Sequence, residues 1–135
     1  MNKLERAISL FNEGFNCCQS VIAVFHEDLK FDKELVLKIS SGFGGGMGQG
    51  EVCGAVTGAI MAIGLKYGSS EVNDDKKQEV KDIINKFSEE FKKRNSSIIC
   101  RELLECNEGE INGKKCICVK AVRDAVEILE NDFHF

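Results

Sequence analysis

Apolar residues recur at helical spacing, not strand spacing, along most of the chain. Leu4, Ile8 and Phe11 lie three or four apart and stop at Gly14, which predicts a first helix. A second is predicted from Asn16 to about Leu29, with Val21, Phe25 and Leu29 four apart. Asp32 reads as the cap of a short helix carrying Leu35, Val36 and Ile39. A fourth helix is expected from about Glu51 to Tyr67, ending at Gly68. Asp74 or Asp75 would cap the longest one, whose stripe is Val80, Ile83, Ile84, Phe87 and Phe91. Ser96 or Ser97 would cap a short helix through Leu104, and a polar loop with Gly109 and Gly113 follows. The last helix turns Val122, Ala125, Val126 and Leu129 inward. No stretch alternates long enough for a half-buried strand, and there is no proline. The expected fold is all-α: one compact domain over 1–135, six to seven helices, and a glycine-rich loop before a central Gly/Ala-rich helix.

Residues 42–50 interrupt this pattern with six glycines in nine positions, too costly to order as regular structure. The loop lacks both Gly-x-x-x-x-Gly-Lys-Ser/Thr and Gly-x-Gly-x-x-Gly spacing, and no strand precedes it, so a nucleotide phosphate is not its expected ligand. Close backbone approach to a cofactor or another chain remains, with Gly45, Gly46 and Gly48 as the candidate contacts. In the following helix, Gly54, Gly58 and Ala62 lie four apart. Interior glycines cost about 1 kcal/mol each against alanine, so a helix or cofactor is expected against that face.

Composition narrows the function. A net charge of −4 and no basic stripe exclude nucleic acid as the expected partner. Lys92-Lys93-Arg94 falls where a helix should end and complements its dipole. The most apolar run, Val52 to Leu65, is too short to span a bilayer, so no membrane role is expected. The charged first seven residues do not resemble a secretory leader, which points to a cytoplasmic protein. In a reducing compartment its seven cysteines are expected to be free, catalytic or metal-bound, not paired in a framework.

Four of these cysteines, Cys17, Cys53, Cys100 and Cys118, fall where helices should begin. Unpaired N–H groups and the positive dipole end there favour the thiolate that redox exchange and metal ligation both require. No Cys-x-x-Cys or Cys-x-x-Cys-His is present, which disfavours a thioredoxin site, a zinc ribbon and covalent haem. Cys18, Cys106 and Cys116 read as packing thiols, and His26 and His134 as surface or packing residues.

The chain resembles the redox-active proteins named for the cysteine pattern C–GCAxxG–C–C. Asn16-Cys17-Cys18-Gln19-Ser20-Val21 is similar to the first block, with Cys18 where alanine is usual. Gly44 to Gly48, Cys53-Gly54-Ala55-Val56-Thr57-Gly58-Ala59 and Gly64 to Gly68 resemble the central signature. Cys100-Arg101-Glu102-Leu103-Leu104 resembles the third block. Cys118 resembles the fourth, with Cys116 competing for the place. Such proteins are similar to part of the split-Soret cytochromes, which carry haem and an iron–sulfur centre. Without a haem motif, only the iron–sulfur implication carries over.

Three readings follow. In the first, Cys17, Cys53, Cys100 and Cys118 hold a [2Fe–2S] cluster for electron transfer with a redox partner protein or small carrier, and helix N-termini and the glycine loop donate N–H groups to the sulfurs. In the second, Cys53 attacks as a thiolate and another of the four resolves, giving a thiol–disulfide oxidoreductase. In the third, the cysteines bind zinc structurally or serve an interaction module. The Gly/Ala face and the tail Phe133-His134-Phe135 could each serve a homodimer or be satisfied within one chain.

Overall fold

The computed structural model describes residues 1–106, 109–111 and 113–135. The described residues form eight α-helices and a two-residue hairpin: α1 (Lys3–Glu13), α2 (Cys17–Ala23), α3 (His26–Leu29), α4 (Lys33–Ile39), α5 (Gly54–Tyr67), α6 (Asp74–Asn95), α7 (Cys100–Cys106), β1 (Glu110–Ile111), β2 (Lys114–Lys115) and α8 (Cys116–Asp132). The all-α expectation holds. The extra helix arises because the segment predicted from Asn16 to Leu29 breaks at Val24 and Phe25, where the Phe25 amide closes a tight turn onto Ile22.

Helix ends follow local chemistry. Asn2 and Asn16 make reciprocal capping boxes with Glu5 and Gln19, and Asp32 caps α4 through the Glu34 amide. Asn73 caps α6, one residue before the expected aspartates, which occupy its first turn. Lys92, Lys93 and Arg94 fill its last turn. Ser96 caps the C-terminus of α6, and neither Ser96 nor Ser97 is the residue from which α7 springs.

The core centres on α5 and α8. Ala55, Val56, Ala59, Ala62 and Ile63 of α5 and Val122, Ala125, Val126, Ile128 and Leu129 of α8 are fully buried, with Phe25, Phe87 and Phe91 as the largest fillers. A buried polar cluster ties α6 to α8. Asp124 accepts from Lys120 at 2.7 Å and from Asn95 at 3.0 Å, and Arg94 bridges Asp124 and Glu127. No described helix is long and apolar enough to cross a membrane.

Both features that the sequence left open to a homodimer make contacts within the chain. Phe135 packs edge-on to Phe25 and Tyr67, while Lys66 and Tyr67 hold the carbonyls of the tail. The small-residue face of α5 receives α2: a methyl group on Gly58 would stand 2.8 Å from the Cys18 carbonyl oxygen, and one on Gly54 3.1 Å from the Cys17 Cβ. Gly64, on the same helix, faces open space. Gly58→Ala should therefore destabilise by about 1–3 kcal/mol through overpacking. Gly64→Ala should stabilise by about 0.5–1 kcal/mol through helix propensity. Denaturant titration of both variants checks the opposite signs.

Candidate functional site

Four separate elements deliver cysteines to one cavity. At the first, the Asn16 side chain accepts from the Gln19 amide at 2.8 Å and donates to the Ser41 carbonyl at 3.0 Å. Gln19 reaches the Leu37 carbonyl at 2.9 Å. The cap thus fixes Cys17 at the first position of α2 and moors that end to the segment after α4.

Cys53 and Cys100 are set side by side by backbone pairing. Val52 and Ile99 form an antiparallel bridge: the Cys53 amide donates to the Ile98 carbonyl at 2.7 Å and the Cys100 amide to the Glu51 carbonyl at 2.6 Å. This pairing also keeps Val52 extended, so α5 starts after Cys53 and not near Glu51. Cys53 is itself the N-cap, makes no side-chain capping hydrogen bond, and takes the Val56 and Thr57 amides on its carbonyl at 3.0 Å.

The glycine loop between these elements makes a left-handed turn. Gly45, Gly46, Met47 and Gly48 have φ of 63°, 64°, 61° and 68°, and the Glu51 amide closes onto the Gly46 carbonyl at 3.1 Å. L-residues pay about 1–2 kcal/mol in this region, which is why the run is glycine around an exposed Met47. A methyl group on Gly46 would also strike the Glu51 backbone and come within 2.9 Å of the Cys100 Cβ.

The fourth cysteine enters from the hairpin. β1 pairs with β2, Glu110 opposite Lys115, and Lys115 is the N-cap of α8. The helix begins at Cys116, two residues earlier than the sequence suggested, so Cys118 lies within its first turn.

Cys17, Cys53, Cys100 and Cys118 line a cavity of about 170 Å³, together with Gly45, Gly54, Leu103, Leu104, Lys115, Ile117 and Ala121. Of the three glycines proposed as contacts, Gly45 lines the cavity, Gly46 braces Cys100 from behind, and Gly48 does not reach the lining. Cys116 stays outside it, since positions 116 and 118 differ by about 200° around a helix. Cys18 is fully buried, its sulfur 3.8 Å from that of Met61, as a packing thiol would be. The Cys106 side chain lies outside the described residues. His26 packs edge-on to Phe31, and exposed His134 gives its carbonyl to Lys66.

The thiols do not share one electrostatic state. Burial pushes Cys53 up to about 11, outweighing the opposing effect of the Ala55 and Val56 amides. Burial also raises Cys100. Cys17 is raised because it donates its proton to Cys118, with burial adding to this. Cys118 alone is lowered, to about 7, first by that hydrogen bond and then by Lys115 and Lys114. The helix-start argument for a thiolate therefore gives way to desolvation at Cys53 and Cys100.

A family model described as "Putative redox-active protein (C_GCAxxG_C_C)" matches residues 15–131. The chain belongs to this C_GCAxxG_C_C family of redox-active proteins. Comparison with curated proteins and with solved structures gave no significant match. The four cysteines that resemble the C_GCAxxG_C_C pattern are the four that line the cavity.

Lys115, Leu103, Leu104, Ile117 and Ala121 were not foreseen as lining residues. The role of Asn16 and Gln19 was legible as an Asn-x-x-Gln capping box. Gly48→Ala should cost about 1–2 kcal/mol for its backbone conformation alone. Gly46→Ala should cost more, because it also collides with Glu51 and Cys100. Chemical denaturation of the two variants compares them directly.

Proposed function

We propose that the chain transfers electrons through a [2Fe–2S] cluster held by Cys17, Cys53, Cys100 and Cys118. The observation that carries this reading is the convergence of four thiols, from four separate elements, on one largely apolar cavity. Four thiolates in such a place would repel strongly, and a cationic iron core is what would compensate them. When bound, the cluster would supply one-electron exchange.

The chain's own residues prepare for it. The Ala55 and Val56 amides at the start of α5 favour negative charge on the Cys53 sulfur. Leu103, Leu104, Ile117 and Ala121 restrict water, and Gly45 lets backbone approach without a side chain. Among the described residues, no three His, Cys, Asp or Glu side chains lie at the spacing of ligands to one metal ion.

The test is iron and sulfide analysis with EPR on anaerobically purified protein. Serine at any one of the four positions should abolish or sharply reduce bound iron, while Cys18→Ser and Cys116→Ser should retain it. A colourless, iron-free protein after reconstitution would overturn the reading.

One observation favours a second reading, thiol–disulfide exchange. Cys17 and Cys118 line the same cavity, and hydrogen bonding between them raises Cys17 and lowers Cys118, giving two neighbouring thiols of different acidity. This moves the attacking role from Cys53, whose thiol is raised, to Cys118. The Cys118 thiolate would attack a low-molecular-weight disulfide and release one thiol. Cys17 would then attack the mixed disulfide, forming the Cys17–Cys118 bond and releasing the second thiol. The reactive form is the deprotonated one, so alkylation of Cys118 in the reduced, metal-free chain should rise with pH through about 7. Cys53 should stay slow until pH approaches about 11. Mass-resolved iodoacetamide labelling reads both, and equal sluggishness of all thiols at pH 7 would sink this reading.

A further inference from the structure

We propose that Lys115 is a positioning residue that sets the redox potential of the four-cysteine cavity, and that Glu110 opposes it across the hairpin. This deepens the redox reading above and rests on it, but not on which occupant carries the electrons.

Lys115 is the one charged side chain among the described residues that line the cavity. Its place is fixed twice over, as the N-cap of α8 and as the hairpin partner of Glu110. Its ammonium lies 3.0 Å from a Glu110 carboxylate oxygen, and both side chains are about half exposed, at 50% and 55%. The charge therefore stands at the rim, where one carboxylate holds part of it back.

Neighbouring cations are engaged elsewhere. The Lys114 ammonium sits over the Phe11 ring, 5.0 Å from its centroid. Arg101 pairs with Glu51 at 3.1 Å and with the Gly50 carbonyl at 3.2 Å.

The sign follows from charge. Reduction of a four-thiolate site by one electron adds one negative charge and breaks no bond. Reduction of a Cys17–Cys118 disulfide by an external dithiol breaks one S–S bond, takes two electrons and two protons from that dithiol, and leaves Cys17 as a thiol and Cys118 as the thiol that ionises in the cavity. In both cases a rim cation favours the more negative, reduced form and raises the potential. A carboxylate beside that cation lowers it.

The experiment is an equilibrium redox titration of the purified full chain and of Lys115→Gln, Lys115→Arg and Glu110→Gln, following whichever couple the protein displays. Lys115→Gln should lower the midpoint by up to about a tenfold change in equilibrium constant, which is 59 mV for one electron or 29.6 mV for two. Lys115→Arg should stay near the parent, and Glu110→Gln should raise the midpoint. Shifts of the same sign for Lys115→Gln and Glu110→Gln, or none, would overturn the proposal, because loss of a merely structural ion pair acts alike from either side. Should the chain display no redox couple, the redox reading itself fails. Cys118 alkylation at pH 7 then tests Lys115 separately: slower in Lys115→Gln and faster in Glu110→Gln supports its field, and equal rates overturn it.

Discussion

The close contact between α2 and α5 is the constraint on which the site depends. Gly58 meets the Cys18 carbonyl at a distance where a methyl group would collide, and Gly54 meets the Cys17 Cβ at one where a methyl group would be tight. Two helix starts, one bearing Cys17 and the other preceded by Cys53, are thereby brought to the same level. Moving α2 outward by the depth of a methyl group would widen the cavity at the pair of cysteines that flank it. The glycines weaken α5 as a helix, by about 1 kcal/mol each. Their return is a backbone approach that places two sulfurs, so fold stability and site geometry are the same variable here.

The second constraint is dielectric. A helix N-terminus offers a thiol only partial charges, and the four cysteines test how far these go. At Cys53 the nearby Ala55 and Val56 amides do not offset burial. At Cys118 a full hydrogen bond and two ammonium groups do. The cavity is therefore asymmetric when empty of metal, with one acidic thiol beside three that resist ionisation. An occupant bringing positive charge would remove that asymmetry by ionising all four. On the thiol–disulfide reading, this asymmetry would make Cys118 the nucleophile and Cys17 its partner. Both readings draw on one arrangement, and they differ in whether positive charge arrives from outside.

Much of this was legible in the sequence, and what was not has a common cause. Helix ends written in cap residues were readable: Gly14 after α1, Asn16 before α2, Asp32 before α4 and Gly68 after α5. The break at Val24–Phe25 carries no glycine or proline, and the left-handed Lys30 that ends α3 is a residue sequence reasoning does not suspect. The start of α5 was misplaced because Val52 is held extended by Ile99, far along the chain. A two-residue hairpin is too short to show alternation, so α8 was begun at Cys118. The four thiols were identifiable from their positions, but the choice between Cys116 and Cys118 needed the helix phase. Non-local pairing and helix phase are what single-chain periodicity does not encode.

Lys115 shows why such positions matter. In the sequence it is one of a pair of lysines in a polar loop, with nothing to separate it from a solubilising charge. In the fold it caps the helix that presents Cys118, faces Glu110 across the hairpin and touches the cavity. A surface ion pair of this kind contributes little to stability, since exposed pairs are worth about 0–1 kcal/mol. Its electrostatic reach into a partly apolar cavity is a different quantity, because the lower dielectric there strengthens what water would screen. A residue can thus be nearly neutral for folding and still bias the charge state of a cavity thiol. That separation makes the hairpin a place where potential can change without disturbing the α2–α5 contact that builds the site.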